Sequence, residues 1–249
     1  MNPLTNCKNI YFIGIGGIGM SALARYFNTQ GVVVSGYDKT PTLLTDALVE
    51  EGIQIHFEDD LAKIDKAATV IVYTPAIPNE HGELNYYRDN KYLVVKRSDV
   101  LQWITENAFT IAIAGTHGKT TTTSMTAHIL RHTGYGCNAF LGGIATNYGT
   151  NFWSHEKNVV VVEADEYDRS FLKLAPNIAV ITAVDPDHLD IYGTAEEVVK
   201  AFGEFSDKIK PGGVLIQKWG TAFNTNTSNK TVFSYGYNHN EASYHTSNL

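Results

Sequence analysis

Gly115-Thr116-His117-Gly118-Lys119-Thr120-Thr121 follows the apolar run Thr110–Ala114 and opens the helical pattern Lys119–His132. Glycines at such a junction let backbone N–H groups turn inward around phosphate oxygens. A lysine then offsets β/γ-phosphate charge, and the next hydroxyl reaches a magnesium ion. Gly115, Gly118, Lys119 and Thr120 supply these parts in order, although Ile113 stands where the commoner G-x-x-x-x-G-K-[ST] loop has its first glycine. Two further apolar runs end in acids. Val159–Val162 leads to Glu163, Asp165, Glu166 and Asp168, and Ile178–Thr182 leads to Asp185, Asp187, His188 and Asp190. In a parallel sheet all three run ends share one edge, so both clusters are expected to face the γ-phosphate, with His188 a candidate metal ligand beside the carboxylates.

A second glycine loop lies about a hundred residues earlier. Gly14, Gly16 and Gly19 satisfy G-x-G-x-x-G, and Asp38 closes the next apolar run. That spacing suits a dinucleotide, with the acid on a ribose hydroxyl, but it serves any diphosphate at a helix N-terminus, a UDP-sugar included. His128 and His132 have the i, i+4 spacing of a zinc pair. Ile129 stands where H-E-x-x-H requires glutamate, so a helix face is the better reading.

These loops need strands and helices to hold them. The first series reads as strands Ile10–Gly14, Val32–Ser35, Ile53–His56, Val70–Tyr73 and Tyr92–Val95, with helix Ile18–Thr29 stopped by Gly31. A second series gives strands Thr110–Ala114, Val159–Val162, Ile178–Thr182, Val214–Gln217 and Thr231–Tyr235. Its helices are Lys119–His132, stopped by Gly134, and one near Ala195–Phe205. Alternation of this kind predicts α/β architecture with parallel sheets. The restart near Phe109 predicts two domains, 1–106 and 107–249. The tail after Tyr235 shows no closing helix, which predicts an unfinished second domain or a mobile end.

The 249 residues are 43% hydrophobic and 18% charged, a globular balance, and the formal charge of −7 comes without a basic run. A nucleic-acid surface is therefore not expected. Cys7 and Cys137 lack ligand or disulfide spacing, and no apolar run approaches a membrane span, so a cytoplasmic protein without membrane insertion is expected.

Taken in order, "GIGGIGMSALA" (Gly14–Ala24), "YTPAIP" (Tyr73–Pro78), "KRSDVL" (Lys96–Leu101), "GTHGKTTTT" (Gly115–Thr123), "EADEYDRSF" (Glu163–Phe171) and "DPDHLDIYG" (Asp185–Gly193) resemble the Mur ligases from about Asn9 onward. The resemblance implies a Rossmann-like N-terminal domain binding a UDP-sugar, then a P-loop-containing α/β domain binding ATP. It implies peptidoglycan precursor synthesis: ATP-dependent ligation of L-alanine to UDP-N-acetylmuramate through an acyl phosphate. The alternatives are the family's peptide-recycling ligase and an NAD(P)-binding oxidoreductase.

By the same resemblance Gly14, Gly16, Gly17, Ile18, Gly19, Asp38, Thr74, Ala76, Arg97 and Asn151 would meet the UDP-sugar. Gly115 to Thr121 would wrap ATP, Lys119 would stabilise the phosphoryl in flight, Thr120 and Glu163 would hold one Mg²⁺, and His188 would help hold a second. Tyr167 and Arg169 depart from the family pattern, which has small residues there. No counterpart of the family's third domain is recognisable, so a chain that binds UDP-sugar but turns over poorly is expected.

Overall fold

The computed structural model describes residues 3–247. Packing divides the chain into two compact units. One runs through Trp103 and takes in Phe140–Ser154; the other comprises Ile104–Ala139 and the chain from His155 onward.

The first unit contains β1 (Asn9–Ile13), α1 (Ile18–Thr29), β2 (Val33–Tyr37), α2 (Leu43–Glu50), β3 (Gln54–His56), β4 (Val70–Tyr73), α3 (Gly82–Asp89), β5 (Leu93–Lys96) and the start of α4 (Arg97–Glu106). Its sheet has the order β3-β2-β1-β4-β5, with every neighbouring pair parallel. The unbroken apolar run of β1 reflects burial on both faces. Tyr11 and Ile13 join Tyr37, Ile71, Leu84 and Tyr87 in one core, while the Phe12 ring lies 6.3 Å from that of Phe27 on α1. Gly36 is forced by this packing, because a Cβ there would stand 2.5 Å from the Phe12 carbonyl oxygen.

A fully buried carboxylate sits inside this core. Glu83 accepts from Tyr11 Oη (2.5 Å), His56 Nε2 (2.7 Å) and the Asp60 N–H (3.2 Å). A buried acid without such donors would be strongly destabilising. Burial, then the bond to Glu83, pushes the Tyr11 phenol far above its ordinary pKa, so Tyr11 is the donor.

The second unit begins with the end of α4 and β6 (Phe109–Ala114), followed by α5 (Lys119–His132). The chain then forms β7 (Asn138–Ala145) and β8 (Thr150–Trp153), which from Phe140 pack with the first unit. β9 (Val159–Glu163), a 3₁₀ turn at Ser170–Lys173, β10 (Ile178–Ile181), α6 (Leu189–Tyr192), α7 (Ala195–Ser206), β11 (Gly213–Lys218), β12 (Lys230–Tyr237) and β13 (Tyr244–Thr246) complete it. Its strands run β13-β12-β11-β10-β6-β9, again with parallel neighbours. The tail thus carries a further strand, β13, where the sequence pattern shows only one. Phe171 stacks on Phe205 at 5.0 Å and meets Phe202 edge-on, seating α7 on the unit's core.

Within the first unit, Phe140 and Phe152 pack against Tyr26 of α1, at 5.4 and 6.0 Å between centroids. Among the described residues, no helix is long and apolar enough to cross a membrane.

Candidate functional site

The strand order of the first unit reverses between β1 and β4, and in open α/β sheets ligands settle at that point, beyond the strand C-termini. A cleft of about 680 Å³ opens there. Gly14, Gly16, Gly17, Asp38, Thr74 and Ala76 line it, together with Tyr37, Lys39, Asp59, Ile77, Pro78, Glu80 and His81. Gly14 has φ +86°, a left-handed conformation that glycine adopts without strain, and it turns the chain from β1 into the loop. α1 has no side-chain cap, which leaves its first N–H groups for an anion.

The structure uses some of the expected sugar-site residues differently. Asp38 lines the cleft, yet its Oδ2 accepts from the Gly16 N–H (2.7 Å) and its Oδ1 from the Thr40 N–H (3.1 Å). It therefore shapes the glycine loop. Ile18, Gly19 and Arg97 do not line the cleft; Arg97 packs against Gly19, where a Cβ would stand 3.1 Å from its guanidinium.

Asn151 departs furthest from expectation. It is fully buried, donates to the Ile18 carbonyl (2.6 Å) and Ser21 Oγ (2.9 Å), and accepts from Arg25. Its amide is spent on α1 rather than presented to a ligand. No local signal marks this, because the partners lie more than a hundred residues away.

The second unit gathers the other loop. Register pairs Ala114 with Ile181 and Ile113 with Glu163, so β6, β9 and β10 end on one edge. Gly115 has φ +132°, and a Cβ there would stand 2.1 Å from Thr182 Oγ1, so loop and β10 meet as only glycine allows. Thr182 Oγ1 donates to the Ala114 and His117 carbonyls, and the Thr116 N–H donates to the Ala183 carbonyl. The Asp185 N–H donates to Thr116 Oγ1 (3.1 Å), and His117 Nε2 lies 3.7 Å from Asp185 Oδ2. Gly118, left-handed at φ +78°, starts α5 without a side-chain cap. The first amides of α5 thus remain for an anion.

Lys119 Nζ donates to Glu166 Oε1 (2.7 Å) and the Gly115 carbonyl (2.8 Å). Thr120 Oγ1 donates to Glu163 Oε1 (2.9 Å), which brings two hard oxygen donors together beside the loop. His188 caps α6 in the left-handed conformation at φ 51°, strain that a non-glycine residue sustains only where its surroundings fix it. Its Nε2 lies 3.9 Å from both Glu166 Oε1 and Asp187 Oδ2. Glu166 is the residue the sequence pattern underrates. It is 1% exposed, and its carbonyl accepts from Tyr192 Oη (2.7 Å) and the Arg169 N–H (3.0 Å). Burial above all, with the nearby acids, pushes the Tyr192 phenol up to about 12, so it stays a donor.

Residues 9–108 match the Mur ligase family, catalytic domain, and residues 113–249 match the Mur ligase middle domain. The chain belongs to the Mur ligase family.

A UDP-N-acetylmuramate–L-alanine ligase from Porphyromonas gingivalis is 51% identical, with 97% of this chain and 55% of the relative covered. One of the same name from Cytophaga hutchinsonii is 52% identical over 86% of this chain and 48% of the relative. The chain thus spans about half the length of the curated relatives it matches. Among solved structures, a UDP-N-acetylmuramate-alanine ligase from Thermotoga maritima gives a TM-score of 0.80 at 28% identity, covering 95% of this chain and 54% of that one. A UDP-N-acetylmuramate:L-alanyl-gamma-D-glutamyl-meso-diaminopimelate ligase from Neisseria meningitides also gives 0.80, at 25% identity, covering 92% and 78%.

Tyr167 and Arg169 both lie near Glu166 and His188. Tyr167 meets the His188 ring edge-on at 5.2 Å. Arg169 lies over the Tyr192 ring at 5.5 Å and reaches Glu204 at 3.3 Å. Both brace the residues that surround Glu166.

Proposed function

We propose that this Mur ligase chain carries the UDP-sugar and ATP sites of a ligase that joins L-alanine to UDP-N-acetylmuramate in peptidoglycan precursor synthesis. One observation carries the reading. Each unit ends its parallel sheet in an uncapped glycine loop, and in the second a lysine folds back onto the loop while a hydrogen-bonded threonine–glutamate oxygen pair and a histidine stand beside it.

Transfer of the γ-phosphoryl group to the lactyl carboxylate gives an acyl phosphate and ADP. The amine of L-alanine then attacks the acyl carbon, phosphate leaves, and the amine loses a proton as the amide forms. Two anions must approach each other, so positioning and charge neutralisation do most of the work. The α5 amides would bind the triphosphate, and Lys119 would follow the γ-phosphoryl charge. Thr120 and Glu163 fit a magnesium ion through hard oxygens, and His188 stands where it would help hold a second. Magnesium, when bound, supplies charge neutralisation of the phosphates. In the first unit, Gly14 to Gly17 would hold the diphosphate while Thr74 and Ala76 flank it in the cleft.

The test is calorimetric titration of UDP-N-acetylmuramate, and separately of ATP with magnesium, into the 249-residue chain. Both are expected to saturate. Lys119→Ala should weaken ATP binding at least about tenfold and leave UDP-N-acetylmuramate affinity within about twofold. A chain that binds NAD(P) and neither of these ligands would sink the ligase reading.

A further inference from the structure

Lys119 folds back onto its own loop, with its ammonium held between the Gly115 carbonyl and the Glu166 carboxylate. Glu166 cannot follow the lysine elsewhere. Its carbonyl is pinned by Tyr192 and Arg169, and the side chain is almost wholly enclosed. Its second oxygen, Oε2, is buried without a hydrogen-bond partner. A buried carboxylate requires a positive partner, and removing that partner alone is strongly destabilising. If phosphate oxygens draw Lys119 forward, the charge on Glu166 is uncovered.

We propose that Glu166 is the resting counter-ion of Lys119, and that a triphosphate exchanges this lysine for a divalent cation shared by Glu166 and His188. The His188 imidazole lies 3.9 Å from Glu166 Oε1, so an imidazole and a carboxylate already face one volume. Among the described residues, no group of three or more His, Cys, Asp or Glu side chains is placed to hold a metal. A two-residue site of this kind needs phosphate oxygens to complete it, which ties cation entry to the triphosphate. Nucleotide and metal binding are then coupled through one carboxylate, and each strengthens the other. This rests on the reading of the second unit as an ATP site.

Calorimetry of ATP binding, with magnesium chloride or with a chelator, tests the exchange. Glu166→Gln removes the competitor for Lys119, so metal-free ATP should bind about tenfold tighter than to the wild-type chain, ~1.4 kcal/mol. The gain on adding magnesium should shrink correspondingly. In a Lys119→Met background, once circular dichroism shows the chain folded, Glu166→Gln should raise metal-free affinity by a clearly smaller factor, since only carboxylate–phosphate repulsion is then relieved and no lysine remains to be released. The milder Glu166→Asp variant keeps the charge and should shift metal-free affinity in the same direction by a smaller factor. A folded Glu166→Gln chain that binds metal-free ATP no tighter than wild type overturns the exchange. So does an effect of undiminished size without Lys119. A wild-type chain that fails to bind ATP even with magnesium overturns the nucleotide reading and this proposal together.

Discussion

Asn151→Ala offers a direct test of how segment 140–154 is attached to the glycine-loop helix. The wild-type amide makes three buried hydrogen bonds, to the Ile18 carbonyl, Ser21 Oγ and Arg25. These losses are unequal. Ser21 Oγ still donates to the Ile18 carbonyl (3.0 Å), so neither group is left without any partner. Arg25 is 5% exposed and keeps Glu51, with Nε at 2.8 and 2.9 Å from its two oxygens, but its Nη1 loses the Asn151 acceptor. Bonds involving a charged group contribute about 1.5–3 kcal/mol and neutral ones about 0.5–1.5. Allowing for the two neutral partners' remaining bonds, the loss should be about 2–4 kcal/mol, with the arginine contact the largest part. Asn151→Asp keeps an acceptor for Arg25 but turns an oxygen toward two others, so it should recover less than half of that loss.

Denaturant unfolding followed by circular dichroism gives the free energy. Hydrogen exchange of the α1 amides assigns the change to the first unit. A loss below about 1 kcal/mol, with α1 exchange unchanged, would mean that Asn151 is not the latch described here.

Two other perturbations probe the second unit. Gly115→Ala places a Cβ where Thr182 Oγ1 already lies, at a φ of +132°, so the phosphate loop must move. ATP binding should fall by at least about tenfold while UDP-N-acetylmuramate affinity stays unchanged. Wild-type ATP affinity would refute the close approach. Asp207 concerns pH. Burial by itself raises its carboxyl, but donation from Lys230 (2.9 Å), the Asn226 N–H (3.0 Å) and Thr225 (3.1 Å) outweighs this and holds it below the ordinary carboxylate range. A depressed folded-state pKa contributes stability above the unfolded value of about 4, lost as pH falls through the folded value. Asp207→Asn should therefore lower stability at neutral pH and make the acid limb below about pH 4 shallower. Equal acid limbs for variant and wild type, in denaturant midpoints measured across pH, would count against it.

The sequence by itself determined the local units. Apolar runs broken by glycine specified strand, loop and helix at Asn9–Thr29 and Phe109–His132, because backbone sterics and hydrophobic period act over a few residues. Lys119 beside its loop, and the acidic ends of β9 and β10, were legible for the same reason. The eight-residue helices α2 and α3 were not, since two turns give too little periodicity to stand out.

Only the tertiary structure decided which acid meets which partner. Sequence spacing favoured Glu163, and packing enclosed Glu166 with Lys119 while leaving Glu163 to Thr120. It set Tyr11, His56 and Glu83 together from three elements, and brought Asp59 and His81 to the cleft from the separate loops before and after β4. It turned Asn151 from an expected ligand contact into a buried tie to α1. Such pairings depend on burial and on chain segments distant in sequence, and neither leaves a periodic mark on the residues themselves.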